Sequence, residues 1–125
     1  MSEMRPPIFD IIKASAAVKA LLGTDPVRFF PFGRAPDDVA KPYSVWQTVS
    51  GSPENYLAGV PSIDNWLVQV DSYAMTGSAA RNVAQALRDA LEANNTAYIV
   101  AWRGEFKEDD NIIRYSFDVE FLTAR

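Results

Sequence analysis

Hydrophobic and polar positions along this chain follow two periods. Ile8, Ile11, Ile12, Ser15, Val18, Leu21 and Leu22 recur at spacings of three and four, the repeat of a helix with one buried face. Pro7 suits a first helical turn and Gly23 a helix stop, so one helix over residues 8–22 is predicted. Residues 27–30 form a short strand limited by Pro26 and Pro31, which suits a sheet edge. Residues 43–49 are rich in β-formers and read as a second strand, with Ser44, Trp46, Thr48 and Ser50 on one side and Tyr43, Val45 and Val49 on the other. Residues 50–63 read as a long connection holding Gly51, Pro53, Gly59 and Pro61. Residues 65–74 follow as a strand with Trp66, Val68 and Val70 on one face and Gln69 and Asp71 on the other.

Thr76 or Ser78 can cap a second helix reaching about residue 94, with an apolar stripe of Ala80, Val83, Ala84, Leu87 and Leu91. A long hairpin closes the chain: residues 97–106, a turn region at 108–111, and residues 112–123. In the last arm Ile113, Tyr115, Phe117, Val119 and Phe121 alternate with Arg114, Ser116, Asp118 and Glu120, the pattern of a sheet with one buried and one wet face. All eight prolines lie at or before position 61, so loops belong to the first half and long elements to the second. The element order α-β-β-β-α-β-β predicts an α+β fold: a mainly antiparallel sheet with two helices packed on one face. No repeat or linker divides residues 1–125, and 125 residues fit a single domain.

Composition narrows the chemistry. The chain has no histidine and no cysteine, which excludes disulfides, thiol nucleophiles, Cys-based zinc sites, His-dependent nucleophiles and an HExxH metal helix. No phosphate-binding glycine loop or GxSxG elbow occurs. No catalytic, cofactor-binding or metal-ligating residue is assigned, and the chain reads as a binding protein, not an enzyme. Twelve basic against 16 acidic side chains give a net charge of −4, and no basic cluster offers the footprint that tight nucleic-acid binding needs. No apolar run approaches the ~20 residues that span a bilayer. The chain therefore reads as soluble and cytoplasmic.

Several residues are candidates for partner contact. Trp46 stands on the polar-looking side of its strand, which suits an interface anchor. Glu54, Asn55, Tyr56, Leu57 and Val60 give the long connection charged and apolar weight, and connections of this length in small domains are usually functional. Phe32 and Arg34 lie in the irregular segment that runs to Asp38, and Glu108, Asp109 and Asp110 make an acidic hairpin tip. Asp37 and Asp38 read as turn residues, since a hard-cation site needs further oxygens. Asp118 and Glu120 share a strand face about 7 Å apart and are expected to face solvent or a neighbouring subunit near Arg114.

The linear arrangement resembles the tail terminator (tail completion) proteins of long-tailed bacteriophages and related prophages. The resemblance runs from Ala17-Val18-Lys19-Ala20-Leu21-Leu22-Gly23 through Val27-Arg28-Phe29-Phe30-Pro31 to Lys41-Pro42-Tyr43-Ser44-Val45-Trp46-Gln47 and Val49-Ser50-Gly51. It continues through Pro53-Glu54-Asn55-Tyr56-Leu57-Ala58-Gly59, Leu67-Val68-Gln69-Val70-Asp71-Ser72-Tyr73-Ala74 and the second helix to Tyr115-Ser116-Phe117-Asp118-Val119-Glu120-Phe121. It implies a structural virion protein at the tail neck, assembled in the host bacterial cytoplasm. In such a role the chain forms a homohexameric ring on the head-proximal end of the tail tube. The ring halts polymerisation of the major tail tube protein and offers a joining surface to a head-completion (stopper) protein. DNA crosses its lumen as passing cargo, and no membrane is involved. Six copies at −4 carry about −24 in all, so a lumen lined with acidic residues would let DNA slide without sticking. The alternatives are an adjacent neck protein, such as a stopper or head-completion factor, and a small-ligand-binding α+β domain.

Overall fold

The computed structural model describes residues 6–24, 26–53, 63–94 and 97–124. The apolar stripe expected on one helix is carried by two, α1 (Ile8–Lys13) and α2 (Ala16–Leu22). Ser15 makes the break. Its backbone is extended (φ −87°, ψ 122°), and its Oγ accepts a hydrogen bond from the Val18 N–H at 3.3 Å. A short hydroxyl side chain competes with helix continuation in this way, so Ser15 leaves the stripe to become the N-cap of α2. Ile8, Ile12, Val18 and Leu22 are all buried nonetheless. Two short helices thus bury what one long helix was expected to bury.

The remaining elements are β1 (Phe29–Pro31), β2 (Tyr43–Pro53), β3 (Ile63–Ala74), α3 (Gly77–Glu92), β4 (Ala97–Asp109) and β5 (Ile112–Ala124). They build one five-stranded sheet in the order β1-β2-β3-β5-β4. Every pairing is antiparallel except β1 with β2, which is parallel. The fold is α+β, as the sequence pattern predicts, with three helices in place of two. β1 occupies the expected edge, and Pro31, lacking an N–H, suits it to that position.

β2 and β3 run further than the turn residues suggest, so residues 50–53 and 63, expected in the connection, belong to strands. A register shift between Thr48 and Ser50 absorbs Val49, which is 53% exposed, and the ladder then resumes with Ser50 opposite Leu67 and Gly51 opposite Trp66. A bulge of this kind hides strand continuation from a simple alternation count. Glycine at position 51 answers a packing need: a Cβ there would come within 3.0 Å of the Trp66 ring.

The side of β2 that carries Ser44 and Trp46 faces the helices, not solvent. Ser44 is fully buried and Trp46 is 7% exposed. Trp46 stands opposite Val70, which stands opposite Phe117, so the register places the indole in the apolar row of three strands. Ser44 is tolerated there because its hydroxyl shares a 2.8 Å hydrogen bond with the buried Ser72 hydroxyl. The expected exposed anchor is therefore a core residue.

The second half follows expectation closely. Thr76 caps α3, its Oγ1 accepting from the Ala79 N–H at 3.1 Å, and Ala80, Val83, Ala84, Leu87 and Leu91 are all buried. They pack on Trp66, Val68 and Val70 of β3 and Phe117, Val119 and Phe121 of β5, with α1 and α2 alongside. β4 and β5 are joined at Asp110 and Asn111, so Glu108 and Asp109 belong to the strand instead of the turn.

Candidate interaction surfaces

With all helices on one side, the other face of the sheet is open, and its side chains line up by register. Tyr43, Tyr73, Arg114 and Phe106 form one row across β2, β3, β5 and β4. The two tyrosine rings stack at 5.0 Å, and the Arg114 guanidinium lies 4.6 Å from the Phe106 ring centroid, a cation–π distance. Arg114 also donates to Glu108 Oε1 at 2.6 Å and to Asp71 Oδ1 at 3.1 Å. Asp71 is 8% exposed and takes a further bond from Gln69 Nε2 at 3.0 Å.

The next two rows hold Arg103, which bonds Asp118 Oδ2 at 2.6 Å and the buried Ser116 hydroxyl at 2.7 Å. Asn65 reaches Glu120 at 2.6 Å. Asp118 and Glu120 are thus engaged separately, by Arg103 and Asn65, and Arg114 serves Asp71 and Glu108 instead of the carboxylates expected beside it. Burial opposes the charge on Arg114, but its bonds to Glu108 and Asp71 hold its pKa above the ordinary arginine value. The Asp118 hydrogen bond raises that of Arg103 likewise. The tyrosines move the same way for another reason. Burial raises both phenols, and the nearby Asp71 charge adds to the shift at Tyr73.

The acidic hairpin tip is partly self-neutralised. Glu108 belongs to Arg114, Asp110 lies 3.6 Å from Lys107, and Asp109 Oδ1 accepts from the Asp110 N–H at 2.7 Å. The tip stands at one end of the sheet with Tyr43 and Ala74, while Pro53, Ile63, Ala97 and Ala124 mark the opposite end. Glu54, Asn55, Tyr56, Leu57 and Val60 lie outside the described residues. Asp37 and Asp38 occupy a turn closed by Val39 N–H to Pro36 C=O at 3.2 Å, as their sequence context predicts.

Trp46, Phe32 and Arg34 come together around β1. The Phe32 N–H donates to Trp46 C=O at 2.8 Å and the Arg34 N–H to Pro31 C=O at 2.9 Å. The Phe32 side chain is 70% exposed. Beside them is an apolar cleft of about 350 Å³ lined by Phe9, Pro26, Val27, Phe29, Phe30, Pro31 and Trp46. The Trp46 indole N–H is buried and has no acceptor among the described residues. A second, smaller cleft of about 210 Å³ lies between α3 and the β4–β5 hairpin, with Arg81, Arg88, Trp102 and Tyr115 in its wall. Trp102 is 54% exposed there under the Arg88 guanidinium.

The paired arginines of the open face and the exposed Trp102 were not among the sequence candidates. Arg114, Ser116, Asp118 and Glu120 were recognised as a polar row, but their partners depend on strand register and on β4 bulges at Ile99/Ala101 and Trp102/Gly104. Gly104, with φ +78°, adopts the left-handed backbone of that bulge. No spacing rule brings the Arg103 side chain to Asp118, whose ladder partner is Ala101.

Comparison with known proteins agrees with this architecture. No curated protein matches the chain. The solved structures that share the fold include a chain in the virion of a native gene transfer agent particle (TM-score 0.68, 12% identity, covering 94% of this chain and 92% of that one), and the gp17 protein of bacteriophage SPP1 (TM-score 0.58, 13% identity, covering 94% and 86%). The family model for tail completion protein gp17 matches residues 6–124. The chain belongs to the family of tail completion protein gp17.

Proposed function

We propose that this protein closes the head-proximal end of the phage tail tube as a homohexameric ring. There it stops polymerisation of the major tail tube protein and presents the surface that the head-completion protein joins. The coarse role follows from the family: a structural, tail-associated component of phage virions. The observation that supports the finer reading is the match to the tail completion family over residues 6–124.

The geometry supports it in two ways. A ring closed by head-to-tail contacts needs two different patches on each subunit. Here the apolar cleft by β1 and the strand ends at Pro53 and Ile63 lie toward opposite ends of the sheet. The ring also needs one surface toward the tube and another toward the head. The hairpin tip with Asp109 and Asp110 and the end bearing Pro53, Ile63 and Ala124 differ in chemistry and point apart. Six modest contacts to the tube would add by avidity, so no single one need be strong. DNA would pass through the lumen as cargo, and a net charge of −4 per copy would favour sliding over binding.

The test is genetic and visual. Phage lacking the gene should accumulate overlong, headless tails. Normal-length tails that fail to attach to heads would instead make the protein a stopper and refute the terminator assignment. Deleting residues 54–59 should leave a folded chain that no longer caps tails. Infectious particles with normal tails from that deletion would remove the segment from the partner surface.

A further inference from the structure

We propose that the outer edge of β4 in one copy of this chain docks beside β1 of the next. Trp102 of the first copy is then seated in the cleft that Phe9, Phe29, Phe30 and Trp46 line in the second. The proposal rests on the ring reading and names its subunit contact.

Strand register carries the inference. Trp102 stands opposite Phe117, Phe117 opposite Val70, Val70 opposite Trp46 and Trp46 opposite Pro31. One cross-strand row therefore runs from edge to edge of the sheet. Its middle is core, with Trp46, Val70 and Phe117 at most 7% exposed. Its two ends are complementary. At the β4 end an indole projects, 54% exposed. At the β1 end lies a cleft of about 350 Å³, walled by aromatic and aliphatic side chains without a charge. A knob and a hole at the ends of one row stand at the same level along the strands. A neighbour set edge to edge, without sliding along the strands, brings the first over the second. Such a contact is heterologous and can close into a ring, whereas a slide at each step would climb into a filament. The two ends lie four strand spacings apart, about 19 Å at ~4.8 Å each, so Trp102 does not reach the cleft of its own chain.

The chemistry of each side suits burial. Arg81 pairs with Glu105 at 2.7 Å and Arg88 with Asp89 at 3.0 Å. The charges around Trp102 thus enter the contact already matched, as a polar rim about an aromatic anchor. On the other side the Trp46 indole N–H is buried with no acceptor among the described residues, and buried donors are nearly always paired. From Ala101 to Asp109 every β4 residue except Gly104 is exposed, and among the described residues β4 pairs with β5 alone. An edge of that length left uncovered offers its backbone carbonyls to a partner. Val49 and Met75 are exposed apolar side chains too, but they belong to β2 and to the β3–α3 turn and stand at neither edge. Side chains, not a continued ladder, make the joint. β1 is three residues long, Pro31 lacks an N–H, and three register shifts interrupt β4.

Fluorescence reads the contact directly. Trp46 and Trp66 are each 7% exposed, so acrylamide quenches chiefly Trp102. In the full-length protein that quenching should fall as concentration rises and oligomers form, and Trp102→Phe should abolish the change. Trp102→Ser should raise the concentration at which oligomers form by about tenfold or more, the effect of losing a central aromatic anchor. Met75→Asp, at a similarly exposed apolar site away from both edges, should leave it unchanged. The chain has no cysteine, so introduced pairs report cleanly. Phe32→Cys, 70% exposed next to Pro31, combined with Glu105→Cys, on the Trp102 face of β4, should give a ladder of covalent oligomers with a bismaleimide, in solution or in isolated tails. Neither single variant should pass the dimer. Hexamers in which Trp102 stays open to acrylamide, or which give no ladder, would overturn this contact and leave the ring standing. Equal shifts from Trp102→Ser and Met75→Asp would overturn it too. A chain found only as monomer, in solution and in tails, would overturn the contact and the ring together.

Discussion

The two faces of the sheet are held by different physics. On the helix side, Trp66, Val68, Val70, Phe117, Val119 and Phe121 meet Val83, Leu87 and Leu91, and stability comes from apolar area taken out of water. On the open side, with no helix above it, Ser116 is still fully buried and Asp71 is 8% exposed. What covers them is Arg103 and Arg114, long side chains laid flat and tied to Asp118, Asp71 and Glu108. The first face can be repacked within limits of volume. The second works only as a set, because removing one charge strands its partner.

That contrast can be broken from either side. Phe117→Ala, at the centre of the apolar face, is expected to cost about 3–5 kcal/mol, the range for aromatic deletions in a core. Denaturant unfolding measures it, and a loss under about 1 kcal/mol would show that the helices do not clamp this face as described. Arg114→Met is expected to cost less, about 1–3 kcal/mol, because Asp71 is left desolvated without its partner. Pairing it with Asp71→Asn should return part of that loss. A double variant as unstable as the sum of the two singles would mean that the pair is not coupled. Arg103→Gln ranks third at roughly 0.5–1 kcal/mol, since the arginine side chain is 35% exposed and solvent screens its bond to Asp118. Its effect should shrink in high salt, whereas that of Phe117→Ala should not.

The same contrast explains what the sequence disclosed. The α3 stripe and the β5 alternation were legible because each pattern is local and one-sided: every second residue of β5 from Phe117 to Phe121, and every third or fourth of α3, is apolar. Trp46 was misplaced because its row also holds Ser44 and Thr48, and only the cross-strand partner Ser72 makes a buried Ser44 acceptable. The break at Ser15 was missed because a serine within an apolar period looks like a tolerated exception when its capping bond cannot be seen. Arg103–Asp118 and Arg114–Asp71 are non-local, joining residues 15 and 43 positions apart. They depend on a register that the β4 bulges reset. For the candidate surfaces, residues 32–34 and the hairpin tip are singled out by their loop and turn chemistry, whereas the cleft beside residues 32–34 is assembled from α1, β1 and β2 and has no local signal.

The smallest expected effect lies at the edge of the open face, where Tyr43 stacks on Tyr73. Burial raises the pKa of both phenols, and Asp71 adds to the shift at Tyr73. Below the ordinary tyrosine value near 10, both are neutral whether the chain is folded or not, and the stack is intact. As pH rises through that value the unfolded chain releases these protons first. Folding then holds more protons than unfolding, so stability falls with rising pH until the folded phenols ionise as well. Tyr43→Phe with Tyr73→Phe keeps the rings, whose stacking is worth ~0.5–1.5 kcal/mol, and removes the protons. The double variant should match the parent in stability at pH 8 and lose less between pH 9 and 11. Equal alkaline losses would mean that these phenols are hydrated in the folded chain. Proton release from this half-buried pair would then contribute nothing to the alkaline loss, and the rings would act on the open face through stacking alone.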